Sequence, residues 1–188
     1  MLTARTLVEA QIYVSLVTAA DPDVPAVEPA MPEPGVNLTE GPDAWMLTTT
    51  AGEISIPYSS ENAARTAGAR FGLGVSQLVD AAQWAMVGAS FARRALEADM
   101  AYTGAPDQDR RGVELNWEFA ADAVSEAINF LPDEADEVPA AGVWSQDGKD
   151  ARARNPHLVT RAKLYDDLEY YRGTLEDFRA LYDGPSSS

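Results

Sequence analysis

The sequence predicts an α+β fold that is predominantly α-helical, with one β-hairpin at about residues 45–58 and a proline-rich arm before it. Three observations carry this. Apolar residues recur at helical spacing in four long segments, one short stretch alternates in the strand manner around a glycine, and five prolines crowd residues 21–35. The expected organisation is an N-terminal helix over 1–20, an acidic proline-rich arm over 21–43, an α-rich core over 44–184 that contains the hairpin, and a disordered tail over 185–188.

From Thr6 to Val17, Leu7, Ala10, Val14 and Val17 form one apolar set and Val8, Ile12 and Leu16 a second. The spacing favours a helix although Ile12 to Val17 is rich in β-branched residues. In the arm, each proline fixes φ and removes a donor, which favours extended chain. Trp45 to Thr50 and Ile54 to Tyr58, joined through Ala51-Gly52-Glu53, read as a hairpin, and Pro57 places that end at a sheet edge. Ser59 or Ser60 is expected to cap a short helix that runs to Arg70 and is closed by Gly72 and Gly74, with Glu61 at its positive end.

A long helix is predicted from Ser76 to about Tyr102. Its stripe is Leu78, Ala82, Ala85, Ala89, Ala92 and Leu96, widened by Trp84, Met86, Val87 and Phe91, and its small residues suit the centre of a bundle. Val113, Trp117, Ala120, Val124, Ala127 and Leu131 define the next helix, which Pro132 ends. Asn155 and Pro156 are expected to cap a last helix with the stripe Leu164, Leu168, Tyr171, Leu175, Phe178 and Tyr182, stopped by Gly184-Pro185.

Composition removes several functions. Thirty Asp and Glu oppose fourteen Lys and Arg, a net charge of −16 in 188 residues. Residues 97–137 hold twelve acids against Arg110 and Arg111 alone, whereas 147–183 hold eight acids and seven bases. This field repels nucleic acid and anionic membrane and attracts cations or basic proteins. No apolar run approaches the ~18 residues that span a bilayer, and Arg5, Glu9 and Gln11 interrupt any secretory block, so a cytoplasmic location is expected. The absence of cysteine excludes thiolate chemistry and cysteine-based metal sites, and the single histidine, His157, excludes multi-histidine sites within one chain. His157 is read as structural or exposed, at the first turn of the last helix.

Asp107, Asp109 and Glu118 stand at the first, third and twelfth places of a calcium-loop spacing, with Gly112 at the sixth. Arg111 occupies the fifth place, where an oxygen ligand belongs, so this trio is a weak Ca2+ candidate and a solvated interhelical loop with a turn at Gly112 is preferred. Glu114, Glu118, Asp122 and Glu126 recur every fourth residue and form an acidic ridge on one helix. Like charges at that spacing oppose the isolated helix by about 0.2–0.5 kcal/mol per pair. Together with Asp133 and Glu134 they are the predicted partner-binding residues. Gly72-Leu73-Gly74 lacks the third glycine of a dinucleotide site, and Asn37-Leu38-Thr39 matches a glycosylation acceptor by chance. Arg152, Arg154, Arg161 and Lys163 form the one basic cluster, read as an internal partner for the acidic region.

Phe130-Leu131-Pro132, Ala135, Val138-Pro139, Val143-Trp144-Ser145, Gly148, Asn155-Pro156 and Arg161 to Leu164, with Thr6-Leu7-Val8-Glu9-Ala10 to Tyr13 near the start, resemble an uncharacterised protein family of actinobacteria and myxobacteria. Relatives often carry a cysteine pair after the first segment; this chain has none, so the resemblance implies no metal role. The family has no established activity. Read physically, the block is structural: a helix stop, a Val-Pro corner, a Trp144 anchor and an Asp147-Gly148 turn.

The function expected from these features is non-enzymatic: an acidic protein that docks a basic protein partner, in its concrete form an immunity or antitoxin-type inhibitor of a toxin or nuclease. On this reading, reversing Glu118 and Asp122 to Lys abolishes capture and spares the fold. A carboxylate-based hydrolase, with or without a metal ion, and a phage or assembly component are the alternatives.

Overall fold

The computed structural model describes residues 1–18, 37–49 and 52–183. The expected arm up to residue 36 and the tail at 185–188 lie outside them. The fold is α+β and mostly helical, with six α-helices and a four-stranded sheet among the described residues. Two compact units divide at Asp80 and Ala81.

In the first unit, β1 (Leu2–Thr3), β2 (Asn37–Glu40), β3 (Ala44–Thr49) and β4 (Gly52–Pro57) form a sheet in the order β1-β4-β3-β2. The predicted hairpin is β3 and β4, antiparallel, with Leu47 opposite Ile54 and Trp45 opposite Ile56. Gly52, at φ 124°, opens β4 instead of sitting mid-turn. Two strands escaped the sequence reading because each is too short to show a period: β1 pairs parallel with β4 at Leu2 and Thr3, and β2 emerges from the expected arm to pair with β3. β4 is thus an inner strand, and Pro57 is accommodated because β1 pairs only as far as Ser55.

The first helix, α1 (Leu7–Thr18), buries Ala10, Ile12, Val14 and Leu16 and packs on β4. Its start is held by a Thr-x-x-Glu arrangement: Glu9 N–H donates to Thr6 Oγ1 at 3.1 Å, and Leu7 N–H donates to Glu61 Oε2 at 2.8 Å. Glu9 is 1% exposed, and its carboxylate accepts from the Arg5 N–H and from the Arg5 guanidinium. The Arg5 side chain lies over Gly72, where a Cβ would stand 2.3 Å from Arg5 Cβ. Helix α2 (Tyr58–Ala67) differs from expectation at both ends. Pro57 precedes it without a side-chain cap, so neither Ser59 nor Ser60 serves. Gly68, at φ 68°, ends it, with Ala69 N–H reaching Ala64 O.

The second unit is a helical bundle. α3 (Ala81–Ala101) starts later than predicted because Ser76 Oγ accepts from Leu78 and Val79 N–H and forms a separate turn. α4 (Arg110–Ile128) packs against both α3 and α6 (Arg161–Tyr182). Phe91 stacks on Phe119 at 4.8 Å between ring centroids, and a Cβ on Gly88 would stand 2.7 Å from Val124 Cγ2. The α3 stripe therefore passes through Gly88 and Ala95, and Ala89 and Leu96 are exposed. On the other side of α4, Trp117 lies 6.1 Å from both Tyr170 and Tyr171.

The predicted Asp147-Gly148 turn is the first turn of a further helix, α5 (Gln146–Arg154), capped by Ser145, whose Oγ accepts from Gly148 N–H. Asn155 ends α5 instead of starting α6, and Asn155 Oδ1 accepts from His157 N–H in a tight turn. Thr160 is the true cap of α6, so the exposed His157 precedes that helix instead of lying in it. Trp144 is 40% exposed, packed against Phe130 on one side, and is no buried anchor.

Candidate partner-binding site

The four acids of the predicted ridge do not share one environment. α4 has a helix on two sides, so the flank that periodicity assigns to solvent faces α6 over its first half. Glu114 accepts from Arg110 Nε at 2.9 Å and from Arg179 Nε at 3.3 Å; Glu118 accepts from Arg111 Nη1 at 2.8 Å and from Arg179 Nη2 at 2.7 Å. Their side chains are largely covered. Arg110 also donates to Tyr182 O and to Asp183, and so closes the C-terminus of α6 with positive charge. Hydrogen bonds to Asp183 and then Glu114 raise the Arg110 pKa, and the bond to Glu118 raises that of Arg111. Both guanidinium groups are held charged. Asp122 is half-buried and Glu126 is 7% exposed, which withdraws it from any partner's surface.

This arrangement changes the reversal experiment. Lys at 118 would oppose Arg111 and Arg179 across the α4–α6 contact, so it would perturb the bundle along with any docking.

Asp107, Asp109 and Glu118 are not brought together. Asp109 caps α4 by accepting from Gly112 N–H at 2.8 Å, and Glu118 is spent on arginines two helical turns further on. Gly112 lies inside the first turn of α4 and forms no interhelical turn. A Cβ there would stand 2.3 Å from Asp109 Oδ2, so a side chain at 112 would displace the capping carboxylate. The preceding loop closes around Gln108 instead of an ion: its Oε1 accepts from Thr103 N–H, Thr103 Oγ1 and Ala105 N–H, and its Nε2 donates to Ala101 O. Among the described residues no group of three or more acidic or imidazole side chains is placed to hold a metal ion.

The remaining two predicted residues, Asp133 and Glu134, stand on the loop after α4, which ends at Ile128 with Asn129 as its C-cap, short of the expected Leu131 and the stop at Pro132. Arg161 organises this loop from α6. Its Nε donates to Ala135 O at 2.8 Å, its Nη2 to Pro132 O at 2.6 Å and Asp133 O at 3.0 Å, and its backbone N–H to Asp136 O at 2.7 Å. Val138 N–H donates to Val159 O, and Glu137 bridges to Thr160. With its carbonyls turned inward to one guanidinium, the loop leaves the Asp133, Glu134 and Asp136 side chains exposed and without a partner among the described residues. The basic cluster thus serves the acidic region in part: Arg161 holds its backbone, Arg152 reaches Glu137 at 3.1 Å, and Lys163 turns to Asp167 on its own helix. Sequence reasoning placed Arg161 in a basic cluster that serves the acidic region without giving its carbonyl partners, and it missed the roles of Arg179 and Asp136.

Comparison with protein-family models, curated proteins and solved structures finds no match to this chain. The motif resemblance therefore brings no activity to these residues. No helix among the described residues is long and apolar enough to cross a membrane.

Proposed function

We propose that this chain is a non-enzymatic, acidic partner-binding protein of the bacterial cytoplasm that docks a basic protein surface as an immunity or antitoxin-type inhibitor does. One observation carries the reading: the Arg161-held loop presents Asp133, Glu134 and Asp136 to solvent, unpaired, on a backbone already fixed. A fixed loop loses little conformational entropy on binding, and a chain of net charge −16 steers a basic partner toward it. The docking residues are Asp133, Glu134 and Asp136.

The test is co-purification from the native host at low salt with the wild type and with a triple Asp133→Lys, Glu134→Lys, Asp136→Lys variant. The expected result is a basic protein retained by the wild type, released by salt and lost by a variant whose thermal melt is unchanged. If that protein is an enzyme, adding the wild-type chain inhibits it. Failure to recover a basic partner, or equal retention by the variant, refutes the proposal.

A further inference from the structure

We infer that a depression beside α5 binds a small monocarboxylate with a compact apolar body. The depression has a volume of about 490 Å3 and is lined by Val143, Ala153 and Pro156 together with Glu137, Lys149 and Arg152. That size falls in the range of roughly 300–1,000 Å3 typical of small-ligand sites, which pair an apolar lining with a few placed polar groups.

Its apolar part comes from Ala140, Val143, Ala153 and Pro156, whose side chains are all aliphatic. Its charged part is built by helix spacing, because Lys149 and Arg152 lie three residues apart on α5 and so share a side. The Arg152 side chain is 24% exposed, and among the described residues its single contact is one Glu137 oxygen at 3.1 Å. A guanidinium carries five N–H donors in a planar fork, so most of this one is open to a two-oxygen acceptor. The Lys149 ammonium has no partner among the described residues. Two cations against one carboxylate leave one positive charge, which a monoanion neutralises and a phosphate dianion overshoots. The apolar lining then selects a carboxylate carrying a short hydrocarbon over a bare inorganic ion. The site is separate from the acidic loop in its chemistry, and its test does not depend on the proposed docking function.

The experiment is amide chemical-shift titration of the full-length chain with 4-methylpentanoate, its primary amide, N-acetyl-leucine and inorganic phosphate. Saturable shifts at Val143, Lys149 and Ala153 are expected with the two carboxylates, and binding at least about tenfold weaker with the amide and with phosphate. Tighter binding of N-acetyl-leucine assigns the carboxylate to a peptide chain end, and tighter binding of 4-methylpentanoate to a free acid. Lys149→Gln, which removes no contact within the protein, is expected to weaken carboxylate binding by about tenfold with the fold unchanged. Absence of saturation, equal binding of amide and acid, tighter binding of phosphate, or unaltered affinity in Lys149→Gln would each overturn the assignment.

Discussion

Single arginines decide how the acids of this protein are used. Arg179 takes one oxygen from each of Glu114 and Glu118, and Arg161 gathers three carbonyls of the 132–135 loop. Neither assignment is visible in a list of charges, because the partners stand 61 and 65 residues apart in one case and 26 to 29 in the other. What was legible at this scale was chemical type: a carboxylate-rich segment with few bases. Tyr171 offers a residue-level test. Burial, then Asp167 and Tyr170, raise its pKa above the ordinary value of 10.0. Folding therefore favours the protonated phenol; its contribution is complete below pH about 10 and is lost as pH climbs through the raised folded value. Thermal melts from pH about 9 to pH about 12 are expected to fall more steeply for the wild type than for Tyr171→Phe. Parallel profiles would show that Tyr171 contributes nothing to the alkaline loss.

At the scale of elements, apolar periodicity located α1, α3, α4, α6 and the β3–β4 hairpin, since each buries a face long enough to leave a repeat. Their ends were read less well. Asn155-Pro156 carries a stronger start signal than Thr160, yet Thr160 caps α6, because the chain between them closes into turns, with Leu158 N–H donating to Asn155 O and Thr160 N–H to His157 O, and the Glu137–Thr160 bridge and the Val138–Val159 hydrogen bond hold its end. Periodicity also fails where a helix is covered on two sides, as α4 is: its second buried flank carries Glu114 and Glu118 and reads as a surface. The α3–α4 contact depends on Gly88, whose missing side chain lets Val124 and the Ala120 carbonyl approach. Gly88→Ala gains up to about 1 kcal/mol in helix propensity. It also forces Val124 aside, an overpacking cost of about 1–3 kcal/mol, and the net is expected to be a loss of about 1–2 kcal/mol in urea unfolding. A stabilised variant would show that Val124 yields freely.

For the molecule as a whole, charge acts as a field. The paired arginines neutralise only part of it, and an excess of sixteen negative charges remains. Self-repulsion on that scale destabilises the folded chain, and salt relieves it as the screening length falls from about 30 Å at 0.01 M to about 8 Å at 0.15 M. Exposed ion pairs weaken over the same range, but each is worth only about 0–1 kcal/mol. The melting temperature is therefore expected to rise by a few degrees as NaCl is raised to about 0.15 M. A fall would mean that the Glu114-Glu118-Arg179 network outweighs the net repulsion.

By itself the sequence determined the α+β class, the order of the long helices, the hairpin and the carboxylate excess, because these depend on local periodicity and composition. Tertiary structure alone decided which carboxylates are spent. Glu114 and Glu118 meet an arginine only once α6 lies beside α4, and Glu126 is withdrawn by packing. Asp133, Glu134 and Asp136 stay at the surface because Arg161 draws the carbonyls of Pro132, Asp133, Ala135 and Asp136, and not the acidic side chains, inward. Ion pairing and burial depend on distances across the fold, which a one-dimensional pattern of charge does not contain.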